Sequence, residues 1–483
     1  MVDLRPVLFV LGILLAILAA AMLVPAVVDA LLSGSDWSIF VLSSGITLFI
    51  GVGLFLANRT AATGSLGLRQ AFLLTTLTWV GVGCFAALPF MLSQLQLGFT
   101  DAFFEAVSGI TTTGSTVIAD LDAASPGLLL WRSLLQWMGG IGFIAMAVSI
   151  LPILQVGGMQ IFRTESSDKS EKIKPRIQQI AGTILKVYLA LTAACAIALA
   201  ALEMPLFDAI CHAMTALATG GYSTQDASIG HYKNPGIEWV LALSMFLGGT
   251  TFVSMAQFAR GSPRTLLADS QFRWYAAYVA AFVLMLTAWQ VLSQGRELYD
   301  ALRTSTFNVV SIATTTGFAS EDYVLWGPLP VAAFFFITFI GGCTGSTSGG
   351  LKVFRFCVLS SVAGKQLRQL VHPHGITLPS FNRRPISDDV VRSVLGFFCF
   401  FGTSFALLTL GLAACGLDIV TSISGAAQAL ANVGPGLGQI IGPSGNYASL
   451  PSPAKWLLAV GMLLGRLELL TVLVLFTPRF WRS

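Results

Sequence analysis

The sequence SIATTTGFASEDY, residues 311–323, places three consecutive threonines and a glycine between two apolar stretches. A close copy, ITTTGST, occupies residues 110–116. Alignment on the glycine gives four similar segments, which are DAFFEAVSGITTTGST around Gly114, DAICHAMTALATGGYS around Gly221, NVVSIATTTGFAS around Gly317 and AAQALANVGPGLG around Gly434. These glycines are 107, 96 and 117 residues apart. The spacing predicts a chain built from four copies of one unit.

The composition indicates an integral membrane protein. The chain has 483 residues, of which 55% are hydrophobic and only 10% are charged, and its mean hydropathy is +0.78. Soluble domains carry about a quarter charged residues. Ten apolar stretches are long enough to cross the roughly 30 Å hydrocarbon core of a bilayer. They are residues 7–31, 37–57, 70–92, 128–154, 182–203, 236–258, 274–294, 328–357, 390–415 and 453–477.

Four further apolar stretches, residues 101–113, 208–219, 300–315 and 418–432, are too short to cross. At 1.5 Å per residue their helical parts reach only roughly 20 Å. If each dips in and returns, both termini and 21 of the 27 lysines and arginines lie on one side. The positive-inside rule predicts this asymmetry for the cytoplasmic side. Because non-helical backbone at membrane depth must be buried in protein or line water, the re-entrant stretches predict a pathway.

Each unit is predicted to contain a helix, a half-helix, a glycine loop and a second helix. An aspartate lies where each half-helix begins and complements the helix dipole there; these residues are Asp101, Asp208, Asp300 and Asp418. The second helices carry MGGIGF, LGGTTF, IGGCTG and LGRLEL, which align Gly140, Gly249, Gly342 and Arg466. The predicted domains are an N-terminal two-helix segment, 1–60, and pore units at 68–155, 180–260, 270–360 and 388–483.

The threonines and glycines of the repeat suit a bound cation. A half-helix ending near the bilayer midplane offers partial negative charge, and a glycine with φ > 0 lets successive carbonyls turn toward a common axis. Four such loops would replace the water shell of a potassium ion with backbone oxygens. The hydroxyls of Thr112, Thr113, Thr315 and Thr316 either support that backbone or act as extra ligands. One copy alone would more often be an ordinary helix C-cap, but four copies favour the filter.

The chain resembles the Trk, Ktr and HKT superfamily of potassium transporters over essentially its whole length. The resemblance is carried by the segments TTTGST, TTTGF, GGCTGSTSGGLK and NVGPGLG. The resemblance implies an all-α polytopic protein with four potassium-channel-like units in pseudo-fourfold arrangement, plus two extra N-terminal helices. Potassium is then the transported substrate, with no organic cofactor. The implied ion-binding residues are Thr112, Thr113, Gly114, Thr219, Gly220, Gly221, Thr315, Thr316, Gly317, Asn432, Val433 and Gly434.

The fourth copy departs from this pattern. Asn432 and Val433 stand where the first and third copies have two threonines, and Pro435 follows the glycine. Four equal sets of ligands are therefore not expected.

The resemblance also implies a cellular setting. It implies a homodimer in the bacterial inner membrane, with one pore per subunit, both termini cytoplasmic and a cytosolic nucleotide-binding regulatory subunit of the TrkA type. No nucleic-acid partner is expected. The basic stretch 352–392 is in part ordinary positive-inside charge near anionic lipid, and its length leaves room for a partner. Whether uptake is a symport with protons stays open at this point.

A glycine-rich segment, GGCTGSTSGG at 341–350, interrupts the second helix of the third unit. Each glycine costs a helix roughly 1 kcal/mol relative to alanine, so a break is expected. We interpret the segment as a gate under the filter, formed by Gly341, Gly342, Gly345, Gly349, Gly350 and Arg466. Close helix packing through small residues is the alternative. A phosphate-binding loop is excluded because GxxxxGK[ST] is absent.

Arg466 lies near the middle of the last predicted crossing, eleven residues from both Lys455 and Thr477. A charge at that depth is costly and usually faces a cavity or a partner. A local ion pair with Glu468 is unfavourable because positions i and i+2 diverge on a helix. We therefore expect a pore-facing cation that limits ion flux, with a structural ion pair as the alternative.

Other functions receive less support from the sequence. A sodium-permeable or poorly selective transporter of the same architecture is the main alternative. A carrier-type secondary transporter should show inverted repeats, whereas these repeats have like orientation. An intramembrane hydrolase lacks GxSxG and HExxH signatures, and neither the four histidines nor the seven cysteines have catalytic or metal-ligand spacing. The chain is therefore not expected to be an enzyme.

Overall fold

The computed structural model describes residues 3–61, 67–149, 173–259, 261–374, 378–382 and 384–482. Regular structure in these ranges is helical, apart from one isolated bridge and an antiparallel pair of two-residue strands, Ser380–Phe381 and Arg384–Pro385. The predicted all-α class, with four similar units and two extra N-terminal helices, is confirmed.

The two N-terminal helices, Arg5–Leu31 and Trp37–Asn58, form an antiparallel pair beside the first unit. Their backbones approach closely at two glycines, because a Cβ on Gly12 would lie only 2.7 Å from the carbonyl oxygen of Gly51. Small residues permit such contacts between membrane helices, where apolar burial gives little driving force. Arg5–Leu31 also packs against the first and second helices of the first unit.

Each of the four units contains a first helix, a half-helix and a second helix. The first helices are Leu68–Ala86 with its continuation Leu88–Leu92, Ile173–Ala201, Ser270–Gln294 and Asp388–Ala414. The half-helices are Phe99–Ile110, Leu206–Leu217, Leu298–Ala313 and Ile419–Ala431. The second helices are Pro126–Ser149, Pro235–Gly248 with Phe252–Ala259, Pro328–Phe339 with Val353–Val371, and Ser452–Arg466 with Leu470–Leu473.

The remaining helices of the described ranges are short. Three are α-helical, namely Pro263–Ala268, Gly438–Ile441 and Pro478–Arg482. Four are 3₁₀ turns, namely Arg59–Ala61, Ser228–His231, Tyr323–Trp326 and Val474–Phe476.

The units close into a ring. Each second helix packs against the half-helix of the next unit along the chain, and the second helix of the fourth unit packs against the half-helix of the first. The half-helices are therefore enclosed, and almost every residue of Phe99–Ile110 after its first turn is buried. The two largest clusters of buried apolar side chains among the described residues include residues of these half-helices, and the smaller of the two is centred on the fourth unit.

The half-helices agree with the four predicted short stretches. Asp101, Asp208 and Asp300 lie in the first turns of their helices, as expected from the dipole argument. Asp418 is the N-cap of the fourth half-helix, where its Oδ2 accepts hydrogen bonds from the amides of Val420 and Thr421, both at 3.1 Å. The prediction that an aspartate lies at the start of each half-helix is confirmed.

Two predicted crossings are wrong as continuous helices. Residues 236–258 divide into Pro235–Gly248 and Phe252–Ala259, which meet at 106°, and residues 453–477 divide into Ser452–Arg466 and Leu470–Phe476, which meet at 104°. In the second unit, carbonyl groups freed by the break are satisfied by the glycine-rich segment, since Gly249 O accepts from Cys343 N at 2.8 Å. Hydropathy alone carries no signal for such tertiary hydrogen bonds.

The count of crossings follows from these breaks. Within the described residues, seven helices are long and apolar enough to span a membrane, or nine if each bent pair counts as one span. The eighth predicted crossing, 328–357, is divided by residues 340–352 into Pro328–Phe339 and Val353–Val371, and the predicted break at 341–350 is confirmed. The predicted end of the crossing 128–154, and most of the basic segment after it, lie outside the described residues.

Candidate functional site

The four glycine loops share one backbone conformation. The residue two before each glycine is left-handed, with φ of 54° at Thr112, 51° at Thr219, 60° at Thr315 and 54° at Asn432. The glycines themselves have φ of 91° at Gly114, 77° at Gly221, 91° at Gly317 and 99° at Gly434. Residues other than glycine rarely adopt the left-handed backbone conformation, because it costs them roughly 1–2 kcal/mol. Its recurrence in all four loops shows one backbone path used four times.

The loops meet around a single centre. A Cβ added to each glycine would lie closer than 3.0 Å to a carbonyl oxygen of the next loop, so no side chain fits there without displacing that loop. The distances are 2.1 Å from Gly114 to Gly220 O, 1.9 Å from Gly221 to Thr316 O, 2.2 Å from Gly317 to Val433 O and 2.8 Å from Gly434 to Thr113 O. These contacts run from the first unit to the fourth and back to the first, so the four carbonyl groups form a closed ring.

Hydroxyl groups support two of the loops from behind. The Oγ1 atoms of Thr111 and Thr113 lie 2.8 Å apart, and Thr111 donates to the carbonyl oxygen of Val107 at 2.7 Å. Thr314 and Thr316 repeat this arrangement in the third unit, with 2.7 Å between their Oγ1 atoms. Thr113 and Thr316 thus brace their own half-helices.

The other loop side chains differ from one another. Among the described residues, the buried Thr112 Oγ1 has no hydrogen-bond partner. Asn432 donates through Nδ2 to Thr113 Oγ1 and to the carbonyl oxygen of Met462, both at 2.9 Å, and so joins the fourth loop to the first. Val433 contributes a fully buried apolar side chain and has no hydroxyl. The fourth loop therefore keeps the backbone of the repeat without its threonine pair.

A polar side chain of each half-helix holds the chain just beyond the glycine. In the first three units this residue lies nine positions before the glycine: Glu105 accepts from Val117 N at 2.9 Å, His212 Nε2 lies 2.9 Å from Ser223 Oγ, and Asn308 Nδ2 donates to Ser320 Oγ at 2.9 Å. In the fourth unit Ser424 Oγ, ten positions before, accepts from Leu437 N at 3.0 Å. His212 is thus hydrogen-bonded and buried.

A buried ion pair within the first unit also reaches the second unit. Arg132 Nε donates to Glu105 Oε1 at 2.9 Å, and both side chains are essentially inaccessible to solvent. The same guanidinium donates through Nη1 to the carbonyl oxygen of Ser223 at 2.8 Å and lies 4.0 Å above the ring of Tyr222. One buried charge pair therefore holds the segments that follow Gly114 and Gly221.

The glycine-rich segment lies against the ends of the half-helices. Thr347 Oγ1 lies within hydrogen-bond distance of two carbonyl oxygens, those of Leu217 at 2.9 Å and Gly248 at 3.0 Å, to which it can donate its one proton. Gly349 N donates to Thr315 Oγ1 at 2.6 Å, and a Cβ on Gly349 would lie 2.4 Å from Ala431 O. The segment thereby contacts the second, third and fourth units at once.

The glycines of this segment allow its backbone to form a compact loop whose two ends lie side by side. Gly345 and Gly350 have φ of 78° and 65°, in the left-handed region. A Cβ on Gly341 would lie 2.1 Å from Gly349 O, and one on Gly342 would lie 2.4 Å from Gly249 O. The ends are joined by hydrogen bonds from Gly341 N to Leu351 O, at 2.9 Å, and from Leu351 N to Phe339 O, at 3.0 Å.

Arg466 contacts the glycine-rich segment. It is the last residue of Ser452–Arg466, so the expectation that it lies in mid-helix is wrong, because the helix bends there. Nη1 donates to the carbonyl oxygen of Thr347 at 2.8 Å, and the guanidinium lies 4.1 Å above the ring of Phe143. Its Nε and Nη2 have no hydrogen-bond partner among the described residues.

Glu468 pairs elsewhere. It accepts a hydrogen bond from Arg355 Nη2, so the argument against a local pair between Arg466 and Glu468 is confirmed. Lys352, also buried, donates to the carbonyl oxygen of Ser348 and lies 5.0 Å from the ring of Phe143. Two cationic side chains, Lys352 and Arg466, therefore contact both the glycine-rich segment and the ring of Phe143.

Comparison with known proteins gives the family. Residues 39–483 match the family model described as TrkH, a cation transport protein. The chain belongs to the TrkH family of cation transport proteins. The family is one of transport proteins, so the expectation that the chain is not an enzyme is confirmed, as is its predicted resemblance to the superfamily.

Individual members of the TrkH family match along their whole lengths. The chain is 48% identical to the Trk system potassium uptake protein TrkI of Halomonas elongata, over 99% of this chain and 97% of that protein. It is 40% identical to the Trk system potassium uptake protein TrkH of the same organism, over 100% of both. The crystal structure of the potassium transporter TrkH from Vibrio parahaemolyticus superposes with a TM-score of 0.92, at 35% identity and 100% coverage of both chains.

The residues that sequence analysis missed in this TrkH-family chain lie behind the loops. Glu105, Arg132, Asn308 and Ser424 were not selected, although polar residues recur inside otherwise apolar half-helices. The common offset of nine positions before the glycine in three units was the available signal. Arg132 had a second signal, because a charge within a predicted crossing usually has a buried partner.

We predict that Glu105→Ala lowers the melting temperature of the purified protein markedly. It leaves Arg132 buried without its counter-charge, a change that typically costs about 3–5 kcal/mol. The double variant Glu105→Ala with Arg132→Leu should recover part of the loss, because neither charge is then buried alone. Equal melting temperatures for Glu105→Ala and the wild type, measured in detergent, would show that the pair contributes no stability.

Proposed function

We propose that this chain takes up potassium across a bacterial inner membrane, through a filter of backbone carbonyls on the axis of the four units. The observation that carries the proposal is the closed ring of contacts between each loop glycine and the carbonyl group of the next loop. Backbone carbonyls can replace the hydration shell of a potassium ion. The two Halomonas elongata relatives are named potassium uptake proteins, which supports the choice of ion.

The proposed ligands are main-chain oxygens drawn from the twelve predicted filter residues. The carbonyl groups of Thr113, Gly220, Thr316 and Val433 form one ring, and carbonyl groups of the loop glycines would line the next position. Gly220 O also accepts a hydrogen bond from Gln136 Nε2 at 2.7 Å, which leaves one of its two lone pairs for an ion. Half-helix ends directed at this place supply further negative potential.

The proposed gate is the glycine-rich segment together with Arg466. Its support is the set of contacts that Thr347 and Gly349 make with the half-helix ends and loops of three units. The hydrogen bond from Arg466 to Thr347 O holds it in this closed arrangement. Opening requires only that these few hydrogen bonds be exchanged, because the ends of the segment remain joined at Ile340 and Leu351.

We predict that deletion of residues 344–348 raises basal potassium flux while the potassium-to-sodium ratio stays unchanged. The deletion removes the contacts below the loops but leaves the loop glycines and the bridge between Ile340 and Leu351. We expect a rise of about tenfold or more, the equivalent of roughly 1.4 kcal/mol of barrier. Thr347→Val, which keeps the length of the segment, should give a smaller rise. A folded deletion variant that conducts no faster than the wild type contradicts the gate.

A flux assay tests the proposed function directly. Purified protein in lipid vesicles is supplied with potassium, rubidium, sodium or lithium at equal concentrations, with and without a pH gradient. Uptake of potassium and rubidium well above that of sodium and lithium is the expected result. Equal rates for sodium and potassium would favour the poorly selective alternative, for which the different fourth loop is the supporting observation. Acceleration by an inward proton gradient would indicate symport.

The assembly and orientation belong to the same proposal. Both termini and most lysines and arginines are placed on the cytoplasmic side, as the positive-inside rule requires. A homodimer and a regulatory subunit of the TrkA type are proposed from the resemblance, and the word "system" in the names of the relatives is consistent with more than one component. The mass of the purified protein by light scattering tests the dimer. Co-purification with a co-expressed cytosolic subunit tests the partner.

A further inference from the structure

The carbonyl group of Gly434 differs from those of the other three loop glycines. Its oxygen accepts a hydrogen bond from the hydroxyl of Tyr447 at 2.7 Å and another from Ser115 Oγ at 2.9 Å. A carbonyl oxygen has two lone pairs, and both are used here. Within the described residues, no hydrogen bond reaches the carbonyl oxygens of Gly114, Gly221 or Gly317. Gly434 is also fully buried, whereas those three glycines are only partly buried.

The donors are arranged so that Gly434 is the end of a hydrogen-bond chain. Ser115 Oγ lies 3.1 Å from Gln428 Oε1, but its hydroxyl has a single proton to donate. The buried Gln428 Nε2 has no partner among the described residues. If the side-chain amide of Gln428 is flipped by 180°, Nε2 donates to Ser115 Oγ, and the serine hydroxyl donates its proton to Gly434 O. The hydrogen-bond chain then runs from Gln428 through Ser115 to the carbonyl group of Gly434.

Tyr447 is held firmly in place for this contact. Its side chain is 2% exposed, its ring lies 5.5 Å from that of Phe104, and its amide donates to Thr116 O at 2.8 Å. The tyrosine therefore joins the first unit to the fourth. The residue at the same distance beyond the glycine is Gly127, Asn234 or Pro330 in the other units, so only the fourth unit has a hydroxyl there.

We propose that the ion position at the level of the loop glycines has three carbonyl ligands, and that Tyr447 and Ser115 set ion discrimination by withholding the fourth. Both are positioning residues, because each acts through the carbonyl group of Gly434. Discrimination between potassium and sodium depends on the number and strength of the carbonyl dipoles around the ion. A position with one fewer carbonyl ligand favours the smaller ion, which needs fewer ligands. This inference rests on the proposed carbonyl filter.

The test uses variants that remove one donor each. Tyr447→Phe deletes only the hydroxyl, and Ser115→Ala deletes the second donor. Each substitution should free a lone pair of Gly434 O for the ion and so raise the potassium-to-sodium ratio of uptake. In the double variant we expect this ratio to be about three times that of the wild type. Ser115→Thr keeps a hydroxyl and should behave as the wild type. Ratios are measured in lipid vesicles with purified protein, and folding is checked by elution profile and melting temperature.

Tyr323→Phe is the matched control. Tyr323 is 1% exposed and packs 4.1 Å from the ring of Phe334, and no filter carbonyl accepts a hydrogen bond from it in the described structure. Its ratio should equal that of the wild type. An unchanged or lower ratio in folded Tyr447→Phe and Ser115→Ala overturns the inference, while wild-type potassium uptake leaves the proposed function standing. Absence of potassium uptake by the wild type would overturn both.

Discussion

Gly221→Ala is expected to abolish the preference for potassium, because no Cβ fits between the second and third loops. That atom would lie 1.9 Å from the carbonyl oxygen of Thr316, and alanine would also have to adopt a φ of 77°. The neighbouring carbonyl group must therefore turn away from the axis. Gly114→Ser and Gly317→Ser should act in the same way, since their Cβ atoms would lie 2.1 Å and 2.2 Å from carbonyl oxygens.

The four loop glycines should differ in how strongly their substitution changes selectivity, and this expected ranking tests the proposal better than any single variant. Gly434→Ala should change selectivity least, because its Cβ would lie 2.8 Å from Thr113 O and its own carbonyl group is already hydrogen-bonded. Gly142→Ala is the control, because nothing lies within 4 Å of a Cβ there. Potassium-to-sodium ratios are measured by uptake into vesicles. Wild-type ratios in well-folded Gly221→Ala and Gly317→Ser would exclude these loops as the filter.

Arg466→Ala is expected to raise cation flux by about ten- to a hundredfold. A unit charge about 5–8 Å from a passing ion, at an effective dielectric constant near 20, repels it by roughly 2–3 kcal/mol. The substitution also removes the hydrogen bond to Thr347 O that holds the glycine-rich segment. Both effects act in the same direction. The potassium-to-sodium ratio should change little, because the loop glycines are untouched.

Two variants separate charge from hydrogen bonding. Arg466→Lys keeps the charge and should remain close to the wild type, whereas Arg466→Gln keeps a donor for Thr347 O and loses the charge. If repulsion dominates, Arg466→Gln conducts nearly as fast as Arg466→Ala. Uptake is compared at equal amounts of folded protein. A fall in flux for folded Arg466→Ala would show that the arginine is needed for structure and that it is not a barrier.

The sequence by itself determined the architecture of this protein. Ten apolar stretches, four short stretches each beginning near an aspartate, and one glycine per repeat are local patterns, and they follow from bilayer thickness, the helix dipole and backbone sterics. The half-helices consequently lie where they were predicted. The sequence also predicts the helix break at 341–350, because five glycines in ten positions disfavour a helix in any context.

Tertiary structure alone decided how these parts are held. The bends after Gly248 and Arg466 are stabilised by contacts with distant residues, such as Cys343 N on Gly249 O and the ion pair of Arg355 with Glu468. The hydrogen bond from Ser115 to Gly434 joins residues 319 positions apart. Local sequence cannot reveal which donor reaches which carbonyl group, because that depends on how the four units close into a ring. Buried polar groups must nevertheless find partners, and the closed ring supplies them.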